Sequence, residues 1–171
     1  MTTSEQTYGS YPGTLPTMPS RRDEITMTDE EIRAFLEERR VMQCATIGPR
    51  GLPHLMPLWF VPENGTDLCS WTYAKSQKAR NLERDARATV GLEAGVQYHE
   101  LRGVTFECDV ELEREPERVE SYGLRLFERL AGELTPEIRA VVAKQAQKRV
   151  GMRFVPFRTV SWDHGKLGGA Y

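Results

Sequence analysis

A short basic segment carries the clearest chemical signal in the sequence: Lys75-Ser76-Gln77-Lys78 stands at the predicted start of a helix. Ser76 is a favourable N-cap, yet two lysines crowd the helix end, where the macrodipole already places roughly half a positive charge. Helix stability alone would favour acidic residues at these positions. Backbone amides, a hydroxyl and two ammonium groups that converge on one point instead suit a phosphate or another anion.

The same helix also fits a second interpretation, in which its charges form a solvated basic face. Ala79 and Leu82 would then pack inward, and Arg84 would lie favourably at the C-terminal end of the helix. Glu83 and Asp85 offset part of the positive charge, which argues against a nucleic-acid-binding stripe. If the segment binds a ligand, a single phosphorylated molecule fits it better than a polyanion.

The size and charge of the chain restrict its function class. It has 171 residues, with 23 Lys and Arg against 25 Asp and Glu, and a formal net charge of -2. This length favours a single domain, and the charge balance gives no reason to expect nucleic acid as a partner. No run approaches the roughly 20 apolar residues of a membrane span, and the N-terminus lacks the pattern of a signal peptide. We therefore expect a cytoplasmic protein without a membrane partner.

Three cysteines, Cys44, Cys69 and Cys108, supply the thiols of the chain. Their spacing matches no zinc motif, and an odd number leaves one thiol outside any disulfide scheme. We expect all three to be small buried apolar side chains, with no bound metal.

The composition changes near residue 28. Residues 1–27 are predicted to form a flexible tail, because Thr, Ser, Pro and Gly dominate the first part and bury too little apolar surface to offset the ordering entropy. Tyr8 and Tyr11 offer an alternative, in which the tail lies across a partner subunit. Residues 28–171 are predicted to form one domain, which opens on the capping box Thr28-Asp29-Glu30-Glu31.

The hydrophobic pattern of this domain is dominated by strands joined in hairpins. Pro53 and Pro57 lack amide donors, so the second strand is expected to lie at a sheet edge or to leave part of its hydrogen-bond ladder open. The successive hairpins predict an antiparallel sheet, closed as a small barrel. Strands are predicted at 41–47, 52–60, 68–73, 87–93, 100–113 and 152–162, and helices after Thr28 and at 75–85, 116–131 and 135–150.

Two segments of the chain resemble a known family. Lys75-Ser76-Gln77-Lys78 after a strand, then Asn81-Leu82 and the run from Arg84 to Val90, resemble the split β-barrel flavin and deazaflavin oxidoreductases related to pyridoxamine 5'-phosphate oxidase. The C-terminal run from Ser161 to Gly169 is similar to the deazaflavin-associated branch. The resemblance covers about residues 28–171. It implies a mainly antiparallel, six-stranded split β-barrel with flanking helices, and a homodimer that buries two cofactors at its interface.

The resemblance also implies which residues contact the cofactor. The cofactor phosphate would lie on Ser76 and Lys78, where the third predicted strand meets the helix. The tricyclic ring would lie against the second and third strands, and the C-terminal residues would come from the other subunit. The further cofactor-binding residues implied in this way are His54, Met56, Leu58, Trp71, Thr72, Lys75, Arg80, Asn81, Trp162 and Lys166.

The implied chemistry is hydride transfer between coenzyme F420, a deazaflavin, and a small conjugated or unsaturated substrate. Such chemistry belongs to the cofactor, so no dedicated acid–base pair is expected in the protein. His164 is the candidate proton donor, because imidazole titrates near neutral pH and its neighbours belong to the C-terminal motif.

One departure from the family bears on the substrate. Pyridoxamine phosphate oxidases carry an arginine-rich C-terminal strand that grips the substrate phosphate, whereas no arginine follows Arg158 here. Vitamin B6 oxidation is therefore not expected. The C-terminal motif favours coenzyme F420, and FMN is the alternative cofactor within the same fold. An alternative of another class is a non-catalytic protein that binds a cofactor, haem or another tetrapyrrole, with His54, His99 or His164 as the haem ligand.

Overall fold

A computed structural model of the chain describes residues 20–168, apart from the side chain of Arg21. The helices in this range are α1 (Arg21–Glu24), α2 (Asp29–Glu38), α3 (Gln77–Arg84), α4 (Pro116–Ala131) and α5 (Pro136–Ala146). The strands are β1 (Val41–Ile47), β2 (Pro53–Trp59), β3 (Val61–Glu63), β4 (Asp67–Tyr73), β5 (Arg87–Ala94), β6 (Arg102–Glu113) and β7 (Arg149–Asp163). Short 3-10 helices span Tyr98–Glu100 and His164–Leu167.

The strands form one curled antiparallel sheet in the order β2-β1-β5-β6-β7-β4-β3. β2 and β3 lie at opposite edges of this sheet, yet only Phe60 separates them along the chain. The sheet must therefore curl until its edges approach each other. Where the two edges of the sheet approach each other, the Ser70 hydroxyl of β4 donates to the Trp59 carbonyl oxygen of β2 at 2.7 Å. The result is a half-barrel, and the expected mainly antiparallel architecture with flanking helices is confirmed.

The expected count of six strands is wrong, because the sheet has seven. The additional strand is β3, which lies in the segment between the strands predicted at 52–60 and 68–73. It pairs with β4 over three residues, from Val61 opposite Cys69 to Glu63 opposite Asp67. Pro62 is tolerated there because β3 is an edge strand. The turn between β3 and β4 begins at Asn64 and Gly65, which both have a positive φ.

Two apolar clusters hold the sheet and helices together. Inside the curl, α2 contributes Phe35 and Leu36 to a core that contains Phe106 and Phe154 of the long strands. On the other side of β4, a second cluster joins Trp71 to helices α4 and α5. β4 is thus buried on both faces except at its last residue, which explains its nearly continuous apolar run. The three cysteines are free and buried, as expected.

Among residues 20–27, which the sequence assigned to the tail, Ile25 and Met27 contact the domain, while Ser20, residues 22–24 and Thr26 are exposed. Met27 lies in the core with 6% of its surface exposed, and its amide donates to the Ser161 hydroxyl at 3.0 Å. The Asp163 amide donates to the Ile25 carbonyl oxygen at 2.7 Å. The tail prediction for residues 1–19 lies outside the described residues. None of the helices between residues 20 and 168 has the length and hydropathy of a membrane span.

The last helix and the last strand meet earlier than the sequence predicted. α5 ends at Ala146 instead of residue 150, and β7 begins at Arg149 instead of residue 152. The reason is pairing with β4, which places Arg149 opposite Tyr73 and Val150 opposite Thr72. Ladder hydrogen bonds thus override the helical pattern of these residues. The consequence is functional, since the pairing brings Arg149 to the end of β4 at which α3 begins.

Candidate functional site

A cleft of about 690 Å³ lies at the C-terminal end of β4. One wall is apolar and aromatic: Trp59 is half exposed at the end of β2, while Trp71 is buried on β4. The Trp71 indole is held by Phe127 of α4, which meets it edge-on with 6.5 Å between the ring centroids. The remaining apolar lining consists of Val41, Pro57 and Leu58. Flat apolar walls of this kind suit a planar ring system.

The other end of the cleft is formed by the N-terminus of α3. Ser76 caps the helix, since its hydroxyl accepts from the Ala79 amide at 3.3 Å. The Thr72 and Ser76 hydroxyl oxygens lie 3.2 Å apart, and the Lys78 ammonium donates to the Thr72 hydroxyl at 3.2 Å. The first turn of α3 contains no acidic residue. Thr72 and Lys78 thus line this end of the cleft, and the Ser76 hydroxyl lies beside them at the start of α3. Hydroxyls and an ammonium next to a helix N-terminus are groups that can bind an anion.

Arg149 supplies a second cation to this cleft. Its guanidinium carbon lies 4.3 Å from the ring centroid of Trp71 and 4.3 Å from that of Tyr73. One terminal nitrogen donates to the Gln145 side-chain oxygen at 2.8 Å. The Nε atom is buried and has no hydrogen-bond partner among the described residues. The side chain is thus fixed by two aromatic faces and one amide, with a donor left over.

The two cations are partly buried, and the lining of the cleft offers them no acidic partner. Burial lowers the pKa of Lys78, and the neighbouring Arg149 guanidinium lowers it further. Burial also lowers the pKa of Arg149, against an opposing effect of Tyr73. No carboxylate belongs to the cleft lining in the described part of the chain. The site is therefore electropositive and its charges are uncompensated, which favours an anionic ligand.

The structure brings together five residues of the expected site. Four line the cleft, namely Leu58, Trp71, Thr72 and Lys78, and Ser76 contacts one of them. The aromatic wall and the anion end are thus both represented.

The other expected residues of β2 and α3 lie outside the cleft lining. Lys75 is exposed in the turn before α3, Arg80 is exposed on α3, and Met56 is 41% exposed on β2. Asn81 is completely buried, and its side-chain amide donates to the Thr46 hydroxyl at 2.9 Å. This bond ties α3 to β1 and involves no residue of the cleft lining. His54 is half-buried on β2, and its Nδ1 atom has no partner within residues 20–168.

The C-terminal residues also lie outside the cleft of their own chain. Trp162 packs over Gly103, whose added Cβ would come within 2.4 Å of the indole. His164 stacks on Tyr98, with 4.4 Å between the ring centroids. Lys166 donates to the Thr26 carbonyl oxygen at 2.8 Å and pairs with Glu31 at 2.6 Å. The resemblance assigned these residues to the cofactor of the other subunit, and a single chain does not test that assignment.

Sequence reasoning missed several residues of the cleft. Tyr73 could have been found, because strand periodicity places it on the same face as Trp71. Arg149 and Gln145 were hidden by the helix predicted to continue to residue 150. Phe127 lies within the helix predicted at 116–131, and its approach to Trp71 depends on tertiary packing that no local pattern reveals. Within the described range, no three His, Cys, Asp or Glu side chains gather into a metal site.

The comparisons with known proteins agree with this fold. Residues 28–162 match the family model described as pyridoxamine 5'-phosphate oxidase. A conserved hypothetical protein from Mycobacterium tuberculosis is 44% identical, with a TM-score of 0.82 over 88% of this chain and 93% of that one. No curated protein matches the sequence.

Two more distant structures share the fold. One is an F420 reductase, 23% identical with a TM-score of 0.58 over 74% of this chain and 94% of that one. The other is HutZ, a heme storage protein from Vibrio cholerae, 23% identical with a TM-score of 0.61 over 78% and 95% of the two chains. The match over residues 28–162, together with the curled antiparallel sheet, shows that the chain belongs to the pyridoxamine 5'-phosphate oxidase family of split-barrel proteins.

Proposed function

We propose that this protein is an oxidoreductase that binds coenzyme F420 in the cleft at the end of β4 and transfers a hydride between it and a small unsaturated substrate. The observation that carries the proposal is the division of the cleft into an aromatic wall and an electropositive end without a carboxylate. A phosphorylated planar cofactor has the same two parts. FMN is the alternative cofactor with that chemistry.

The residues of the cleft fit such a cofactor in size and in donor set. Its volume of about 690 Å³ is in the range of small-molecule sites. Ser76 and Lys78 would hold the phosphate, and Trp59 and Trp71 would border the ring and exclude water. When bound, the deazaflavin supplies the hydride chemistry, while the protein supplies orientation and electrostatics.

The choice of coenzyme F420 over FMN is supported by the C-terminal motif from Ser161 to Gly169 and by the electropositive end of the cleft, which suits a longer anionic tail. An F420 reductase among the structures of the same fold is consistent with this choice. An FAD-binding protein from Mesorhizobium loti also shares the fold. A test of coenzyme F420 binding should therefore include a flavin for comparison.

A homodimer is part of the proposal, because the β2 residues that line the cleft include the exposed side chain of Trp59. Apolar side chains are exposed on the β1–β2 hairpin, with Leu55 at 59% and Trp59 at 52%. Val41 lines both the cleft and a groove on the outer face of the sheet, which also contains Trp162. A second copy seated on this face would cover the apolar side chains and close the cleft.

Storage or transport of haem is the competing function, and the cleft gives it less support. The chain has three histidines, and all of them lie in the described range. None of them lines the cleft of its own chain, so a haem in this site would lack an imidazole ligand from that chain. A strong Soret band on haem addition, lost on substitution of one histidine, would favour this function instead.

The test is a pair of titrations of the purified protein with coenzyme F420 and with FMN, followed by cofactor fluorescence. We expect micromolar affinity for coenzyme F420 and weaker affinity for FMN. Binding of FMN without binding of coenzyme F420 would identify the protein as a flavin-binding member of the same fold. Binding of neither cofactor would contradict the proposed function.

A further inference from the structure

Arg149 differs from the other arginines of the sheet and of α4 in its surroundings. Arg153 pairs with Asp67 at 2.6 Å, and Arg118 pairs with Glu113 at 2.9 Å. Arg125 pairs with Glu63 in the same way. For Arg149, no carboxylate partner is present among the described residues, although burial already penalises its charge. A partly buried guanidinium without an acidic partner has lost part of its hydration, which a carboxylate or phosphate of a ligand would replace with charge-assisted hydrogen bonds.

The contacts of the Arg149 guanidinium fix its position, which favours binding of an acidic group from a ligand. Trp71 and Tyr73 lie at equal distances of 4.3 Å from its central carbon, and Gln145 fixes one terminal nitrogen. The planar fork of arginine matches a carboxylate or phosphate with two parallel hydrogen bonds, and little freedom is lost when it is already positioned. The Nε atom is buried and has no partner within the described range, so no hydrogen bond of the protein offsets its desolvation.

Arg149 and Lys78 lie on different faces of the end of β4. Successive side chains of a strand point to opposite faces. Arg149 stacks on Trp71 and Tyr73, which share one face, whereas Lys78 bonds to Thr72 on the other. Both cations nevertheless line the same cleft. Two positions for negative charge, separated by the end of the strand, fit one ligand with two acidic groups better than one isolated phosphate.

We infer that Arg149 is a specificity-determining residue that binds a second acidic group of the ligand, beyond the phosphate held at Ser76 and Lys78. This inference rests on the proposed function, because it assigns the first group to the cofactor phosphate. The second group is a carboxylate or a phosphate. It belongs either to an anionic tail of the cofactor or to the substrate that lies beside the ring.

The test compares Arg149→Met with Lys78→Met, two substitutions that remove one charge each and keep an unbranched stem. Coenzyme F420, with its acidic tail, and FMN, with one phosphate, are titrated against both variants. We expect Lys78→Met to weaken both cofactors about tenfold or more. Arg149→Met is expected to weaken coenzyme F420 by about tenfold and FMN by less than about twofold, which supports a tail contact.

A substrate contact gives a different pattern. In that case Arg149→Met leaves both cofactors unchanged and removes the spectral response of the cofactor-loaded protein to benzoate, a flat monocarboxylate. Arg149→Lys keeps the charge but lacks the planar fork. The ligand whose binding is weakened in Arg149→Met is therefore expected to bind Arg149→Lys with intermediate affinity. Melting temperatures and circular dichroism identify any variant that fails to fold, and Arg149→Lys then carries the comparison.

Two results would overturn the inference. One is an equal loss of FMN affinity in Arg149→Met and Lys78→Met, which would assign both cations to a single phosphate. The other is unchanged binding of coenzyme F420, FMN and benzoate in Arg149→Met. If the wild-type protein binds neither cofactor, the proposed function fails, and citrate becomes the probe. A rise in melting temperature with citrate at constant ionic strength that requires Arg149 supports the anion site, and its absence overturns it.

Discussion

At the scale of single residues, the site consists of two partly buried cations and the side chains that fix their positions. Lys78 is tied to Thr72, and Arg149 is stacked on two aromatic rings. Neither cation has a carboxylate in the described lining of the cleft, and burial lowers the pKa of both. Their charge is therefore available to a ligand and costs stability when no ligand is bound.

The pH dependence of cofactor binding follows from Lys78. Its pKa lies below the ordinary 10.5, and the protonated ammonium is the form that binds an anion. Affinity is thus constant below the lowered pKa and decreases as pH rises through it. The ligand-free fold responds in the opposite direction, because a lowered folded-state pKa adds stability as pH rises toward 10.5.

This dependence is measured by cofactor titrations between about pH 7 and pH 10. In Lys78→Met the alkaline decrease is expected to be absent, although the affinity is lower throughout. The same decrease in both proteins would assign the titration to another group.

Asn81 has a structural role beside the cofactor-binding role that the resemblance implies. Its side chain is completely buried, and its amide joins Thr46 and Gln77. We expect Asn81→Ala to lower the free energy of unfolding by about 2 kcal/mol, because buried hydrogen-bonding groups lose their partner. Arg80→Ala, at the exposed neighbouring position, is expected to change it by less than about 0.5 kcal/mol. Chemical denaturation measures both, and an unchanged Asn81→Ala midpoint would contradict the structural role.

At the scale of elements, the positions of the ends of β4, α3 and β7 create the site. The sequence was sufficient for the strand and the helix on either side of Ser76, because the N-cap and the short apolar run of β4 are local signals. It was insufficient for Arg149, because the pairing of β7 with β4 is a long-range interaction that shortened the preceding helix. β3 was missed for the same reason, since three residues carry no periodicity of their own.

α4 positions the aromatic wall through a close contact at Gly123. A Cβ atom added at this residue would lie 2.4 Å from the Trp71 ring and 2.8 Å from a methyl group of Val142. Gly123→Ala must therefore displace the indole or the helix. We expect a loss of about 1–3 kcal/mol in stability and weaker cofactor binding.

The control for this prediction is Glu128→Ala, at an exposed position of the same helix. Denaturation and cofactor titration are measured on both variants. Cofactor affinity equal to wild type in a folded Gly123→Ala protein would show that the position of Trp71 is not important for binding.

At the scale of the whole molecule, the exposed apolar surface of the β1–β2 hairpin predicts association. Leu55 is 59% exposed and lies outside the cleft lining, so Leu55→Glu tests the interface without altering the site directly. We expect the wild type to be a dimer and Leu55→Glu to be a monomer with reduced cofactor affinity, measured by light scattering and titration. Val96→Glu is the control, at an isolated position that is 86% exposed. A wild-type monomer that binds cofactor tightly would contradict the dimer.

The central claim is that the end of the cleft at Lys78 binds the phosphate of the cofactor. The direct measurement is the affinity of coenzyme F420 for Lys78→Ala, compared with Lys144→Ala, which removes the same charge from an exposed position on α5 outside the cleft lining. We expect Lys78→Ala to bind about 10–100-fold more weakly than wild type, as for the loss of a charge-assisted hydrogen bond, and Lys144→Ala to bind like wild type. Equal affinity of Lys78→Ala and wild type would contradict the account.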